Sequence, residues 1–105
     1  TMASGRFGKA NLAANADTDL YTCPPGMVAT ATISLCNRGA TDAKVRIAVR
    51  SGVLTDADYI EYETAVPPNG ILERNQVAMS AGEILTVRSN AASVSARAHG
   101  FEEVQ

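Results

Sequence analysis

The sequence predicts an all-β chain: an antiparallel β-sandwich, jelly-roll-like, with about seven to eight short strands and an N-terminal arm. Three observations predict it. Apolar residues recur with period two and not with a helical period; turn chemistry interrupts them about every dozen residues; and 105 residues suffice for one core only.

The clearest strand is Val28 to Cys36, where Ala29, Ala31, Ile33 and Leu35 share one face and Thr30, Thr32 and Ser34 the other. Lys44 to Arg50 repeats the pattern, with Val45, Ile47 and Val49 inward and Arg46, Ala48 and Arg50 outward. In Tyr59 to Glu63 the alternation points Ile60 and Tyr62 inward. Further strands are expected at Leu20 to Cys23, Ile71 to Arg74, Glu83 to Ser89 and Ser93 to Phe101. Between them lie Pro24-Pro25-Gly26, Asn37-Arg38-Gly39, Ser51-Gly52, Pro67-Pro68-Asn69-Gly70, Ala81-Gly82 and Ser89-Asn90, all residues that turns favour. Ile33 to Val49 and Leu85 to Gly100 read as two similar hairpins. Asp56-Ala57-Asp58 reads as a loop, although Thr55 could cap one helical turn there.

Residues 1–15 read as an arm and residues 16–105 as a single sandwich domain. Thr1 precedes Met2 and reads as a remnant of expression, with Met2 as the natural start. Phe7 and Leu12 are the only bulky apolar residues among small ones in the arm, which is expected either to cross to a neighbour or to lie along the sandwich edge.

Composition excludes several functions. Nine basic against 11 acidic side chains give 9 − 11 = −2, without the basic excess that nucleic-acid binding needs, so no nucleic-acid partner is expected. No apolar run approaches the roughly 20 residues of a membrane span, and no membrane partner is expected. The hydrophobic fraction of 46% overstates the core, because alanine supplies its largest share, aromatics are 5% and tryptophan is absent. Alanine buries little surface against roughly 1 to 2 kcal/mol of backbone entropy per residue, so contacts with further copies or with a larger scaffold are expected.

Candidate chemistry is sparse. Cys23 and Cys36 would lie roughly 30 Å apart along a simple hairpin, at 3.3 Å per residue, and are expected as reduced thiols. Neither has the spacing or neighbouring histidines of a zinc site. His99 is the sole histidine and stands near no nucleophile elbow, so it reads as an exposed polar residue. Asp56, Asp58, Glu61 and Glu63 lack calcium-loop spacing and read as a solvated face, with Arg46, Arg50, Arg88 and Arg97 as cross-strand partners. Tyr21, Tyr59 and Tyr62 could stack on a sugar, but an inward Tyr62 favours packing. No catalytic residue, cofactor or metal ligand is assigned, and no enzyme is expected.

The order and spacing of Ser4-Gly5-Arg6, Leu20-Tyr21-Thr22-Cys23-Pro24-Pro25-Gly26, Cys36-Asn37-Arg38-Gly39, Val45-Arg46-Ile47-Ala48-Val49, Tyr59-Ile60-Glu61-Tyr62, Asn69-Gly70-Ile71-Leu72-Glu73-Arg74 and Gly100-Phe101-Glu102-Glu103 run through nearly the whole chain. Together they resemble a group of short virion structural proteins of tailed bacteriophages, particularly phages of marine cyanobacteria. Cys23 and Pro25 depart from that pattern and mark no shared site. The resemblance implies a particle-associated, homo-oligomeric all-β module without assigned activity, found in the virion and assembled in the host cytoplasm. Its implied partners are the major capsid protein or tail proteins. A capsid decoration protein of knob or cement type on the head surface is the first expectation. A tail or fibre adaptor is the second, and a small glycan-binding sandwich for host attachment, with Tyr59 in the stacking site, the third. The candidate interface residues are Arg6, Phe7, Leu12 and Tyr59.

Overall fold

The structure, a computed structural model, describes residues 4–105, so the expectations for Thr1 and Met2 lie outside the described residues. Eight strands follow in order: β1 (Ser4–Asn11), β2 (Thr18–Thr22), β3 (Met27–Asn37), β4 (Ala43–Arg50), β5 (Tyr59–Val66), β6 (Ile71–Met79), β7 (Ile84–Ser89) and β8 (Val94–Val104). They form two antiparallel four-stranded sheets, the first ordered β1-β8-β3-β6 and the second β2-β7-β4-β5. This is the double-sheet jelly roll, in which interlocked Greek keys send the chain back and forth between sheets. Every connection except β4 to β5 changes sheet. The segments 33–49 and 85–100, expected as hairpins, are therefore corners between sheets, because turn residues specify a reversal of direction but not the sheet that receives the next strand.

Alternation decides what is buried. Ala29, Ala31, Ile33 and Leu35 of β3 point into the core, as do Val45 and Ile47 of β4 and Val94, Ala96 and Ala98 of β8. Leu85 and Val87 of β7, Val66 and Met79 close it. Ala48, expected on the outer face, is buried as well, flanked by its partners Tyr59 on β5 and Thr86 on β7.

The segment read as an arm lies along the edge as β1, paired with β8 from Ser4 opposite Phe101 to Asn11 opposite Ser95. A bulge at Phe7 sets that ring parallel to Tyr21 of β2, with centroids 4.1 Å apart. Beside it, Gly8 brings the two sheets together: a Cβ there would stand 2.2 Å from the carbonyl oxygen of Leu20. Leu12 follows at 1% exposure within the core. Burying such a side chain stabilises by about 1.5 to 3 kcal/mol, so β1 is bound to its own sandwich. On the opposite side the sheets are linked by side chains, Arg74 Nη1 of β6 lying 2.7 Å from Glu61 Oε2 of β5.

The loop expected at Asp56–Asp58 is a 3-10 turn. Thr55 precedes it in extended conformation, and the Asp58 carboxylate accepts from the Thr55 backbone N–H at 2.8 Å and its hydroxyl at 3.1 Å. The Asp58 N–H in turn donates to the Thr55 carbonyl at 3.1 Å, which closes the turn.

Candidate functional site

Two surfaces carry side chains whose interactions the fold itself does not consume. The first is the outer face of the β1-β8-β3-β6 sheet. Its residues alternate with the buried alanines of β8, so Arg97 and His99 face outward; their register partners on β1 are Lys9 and Arg6. At Lys9 and Arg97 cation thus faces cation, an arrangement that destabilises a ladder, and Arg6 adds a further positive charge on the same strand. Arg38 caps the row, donating from Nε to Ser95 Oγ at 2.8 Å and from Nη2 to Asn11 Oδ1. A shallow groove of about 630 Å³ runs beside it, lined by Lys9, Asn11, Ser34, Cys36, Ser95 and Arg97.

The other arginines differ. Arg46 meets Glu63 at 2.7 Å, Arg50 meets Asp19 at 2.8 Å, Arg88 meets Asp17 at 3.4 Å, and Arg74 meets Glu61. Of the four arginines expected to pair with Asp56, Asp58, Glu61 and Glu63, Arg46 does so, while Arg50 and Arg88 pair instead with Asp19 and Asp17. Arg97 pairs with none: among the described residues no carboxylate lies within ion-pair distance of Arg6, Lys9, Arg38 or Arg97.

The second surface lies at β5. Its register with β4 slips twice, and Glu63 within it adopts φ 53°, the left-handed region that costs a side-chain-bearing residue about 1 to 2 kcal/mol. The two slips break the alternation between Tyr59 and Thr64. Tyr62, expected inward, is therefore 58% exposed, while Ile60 still packs against the core. The Tyr62 ring meets that of Tyr59 edge to face, with centroids 4.9 Å apart and planes at 77°. The Arg46 guanidinium lies 4.5 Å from the Tyr62 centroid and 6.0 Å from that of Tyr59. Glu63 fixes Arg46 in place and holds its pKa above the ordinary value. Asp56, on the 3-10 turn, completes a hollow of about 480 Å³ with the two tyrosines. Of the acidic stretch, Asp58 is engaged by Thr55, Glu61 by Arg74 and Thr64, and Glu63 by Arg46. Asp56 has no hydrogen bond or ion pair among the described residues.

The four expected interface residues do not converge. Arg6 is exposed on the basic face and Tyr59 belongs to the hollow. Phe7 is half-buried and stacked on Tyr21 in the seam, and Leu12 is buried in the core of its own sandwich.

Sequence reading passed over a buried acid. Glu102 is 5% exposed and accepts from the Tyr21 hydroxyl, whose pKa is pushed far above the ordinary value, first by burial and then by this carboxylate. Continuing the alternation of β8 through Ala96 and Ala98 would have put Glu102 on the inward face. Cys23 is fully buried, which raises the pKa of its thiol, and its Sγ lies 3.5 Å from the Met27 carbonyl. Cys36 is half-buried on the outer face, and both thiols are free.

Asp19 gives the fold a defined acid response. Hydrogen bonds from Arg50 and then Thr86 lower its pKa below 3.8, so the stabilisation is present above the unfolded-state value and lost as pH falls through the folded one. The thermal midpoint is expected to fall below about pH 4, and Asp19→Asn to shrink that fall; an identical acid limb in the variant would contradict it.

No protein-family model matches the chain, and no curated protein matches it. Two solved structures, both of a pentameric capsid protein isolated from metagenomic phage sequences, are similar to it, each with 20% identity and a TM-score of 0.42. The matches cover 95% of this chain and 62% and 61% of those chains, so this chain spans less than two thirds of their length.

Proposed function

We propose that this chain is a structural protein of a bacteriophage virion, an oligomeric decoration protein seated on the head surface and assembled in the host cytoplasm. The observation that carries the reading is the outer face of the first sheet, where Lys9 opposes Arg97 with Arg6 and Arg38 nearby and, among the described residues, no carboxylate within ion-pair distance of them. An acidic partner surface covering this face would turn a like-charge cost into attraction and fix the register of docking. The sequence resemblance names the kind of particle. By fold-level analogy alone, the jelly roll is an architecture that viral capsid and lectin domains share. Repetition over a symmetric shell multiplies weak contacts into firm attachment. No enzymatic role is part of this reading.

Reconstruction of intact particles is expected to show the protein's density on the shell, released as ionic strength rises and released at lower salt by Arg97→Glu. Density found only at the tail would replace the head assignment with an adaptor role, and absence from the particle would end the virion reading. A second reading, attachment of the particle to a host polysaccharide, is favoured by one observation, the outward turn of Tyr62.

A further inference from the structure

We propose that the hollow formed by Tyr59, Tyr62 and Asp56 is a carbohydrate site that takes a neutral pyranose ring against Tyr62, with the Asp56 carboxylate accepting from its hydroxyls. The proposal deepens the second reading above by naming the ligand class and its contacts, and it leaves the shell assignment untouched.

A pyranose presents an apolar face of C–H groups and a rim of hydroxyls, and so needs one flat apolar wall beside an acceptor. Tyr62 supplies the wall. One side of its ring carries the Arg46 guanidinium at 4.5 Å, and the 58% exposure of the residue leaves surface for a guest. Tyr59 meets it edge to face and holds the wall at a fixed angle, so little side-chain freedom is lost on binding. Asp56 supplies the acceptor, since it lines the same hollow and has no hydrogen bond or ion pair among the described residues. A site of this size with an aromatic lining and few convergent polar groups is what small-ligand recognition requires.

The backbone adds an independent sign. Glu63 holds a left-handed conformation without being a glycine, and the bulge around it is what turns Tyr62 out of the core. Bulges that re-aim a side chain and strained residues of this kind cluster at binding sites. Packing alone gives no reason for them, because unbroken alternation would have buried the ring. Arg46 also decides between ligand classes. Its charge lies against Tyr62, so a quaternary ammonium guest, which two tyrosines and a carboxylate could otherwise cage, would meet a like charge.

The test uses the full chain and a panel of immobilised neutral mono- and oligosaccharides, followed by NMR titration with the methyl pyranoside corresponding to the strongest signal. Shifts confined to Tyr59, Tyr62 and residues 55–58 are expected, with affinity lowered about tenfold by Tyr62→Ala and severalfold by Asp56→Asn. Both side chains point to solvent, so circular dichroism of the variants should match the parent. The proposal is overturned if no saccharide binds above the Tyr62→Ala control, if binding survives both substitutions unchanged, or if tetramethylammonium binds where sugars do not. Because sugar binding is read on the isolated chain and host attachment on particles, a particle that fails to attach while the chain still binds sugar would reject the attachment reading and keep the site.

Discussion

Gly100→Ala is expected to destabilise the protein by more than about 3 kcal/mol, enough to lower the thermal midpoint by well over 10 °C at about 4 °C or more per kcal/mol. Gly100 sits in the middle of β8, between Gly5 of β1 and Ala31 of β3. A Cβ built there lies 1.9 Å from the Thr30 carbonyl oxygen and 3.1 Å from the Ala31 Cα, and φ is +156°, where L side chains are rare. The obstacle is backbone on a paired strand, so no rotamer change relieves it; β8 must part from β3 or twist. Gly52→Ala is the matched control, because nothing stands within 4 Å of its Cβ. It is expected to change stability by less than about 0.5 kcal/mol. Equal midpoints for the two variants in thermal unfolding would show that β8 yields where the geometry says it cannot.

Asn37→Leu is expected to cost about 3 to 5 kcal/mol, read as a lower urea midpoint at unchanged slope. Asn37 ends β3, is fully buried, and uses its whole side-chain amide: Nδ2 donates to the carbonyls of Thr41 at 2.8 Å and Val66 at 2.9 Å. Oδ1 accepts from the Gly39 N–H at 2.9 Å and the Ser93 hydroxyl at 3.0 Å. Its backbone pairs with Gly70 and Asn69 as well. One side chain thus ties the β3–β4 corner to the end of β5 and the approach to β8. Leucine fills a similar volume and keeps water out, leaving partners with nothing to bond. A loss below about 1 kcal/mol would mean that those groups find other partners, and the network would not hold this end of the sandwich together.

The fold was legible where side chains alternate in size and polarity. β3 and β4 announce themselves, since Ile33, Leu35, Val45 and Ile47 each stand between polar or small neighbours. β1 does not: Gly5, Gly8 and Ala10 carry almost no pattern, and the segment is a strand because β8 offers it a ladder. Its anchors Phe7 and Leu12 could be picked out as apolar, but their direction depends on a bulge and on the nearness of β2, which are long-range facts. The hollow was half legible. Tyr59 could be singled out by type and position, whereas Tyr62 was lost because a bulge without glycine leaves no mark in the sequence and turns out the side chain beside it, although Ile60 keeps its expected side. The basic face shows the opposite case. Arg6, Lys9 and Arg97 are scattered in sequence, and only the β1–β8 register sets them against one another.

The two long sides of the sandwich are joined by different means. Along β1 and β2 the chain itself closes the gap, Gly8 against the Leu20 carbonyl, with Phe7 laid flat on Tyr21. Along β5 and β6 a side chain bridges it, Arg74 reaching to Glu61. The molecule is therefore built like a bound book, with its spine at β1 and β2 and its fore-edge at β5 and β6. The basic face adjoins the spine, where a surface clamped to a neighbour keeps its shape under load. The tyrosine hollow opens at the fore-edge, so a guest there would meet the particle's partner surface on neither sheet face.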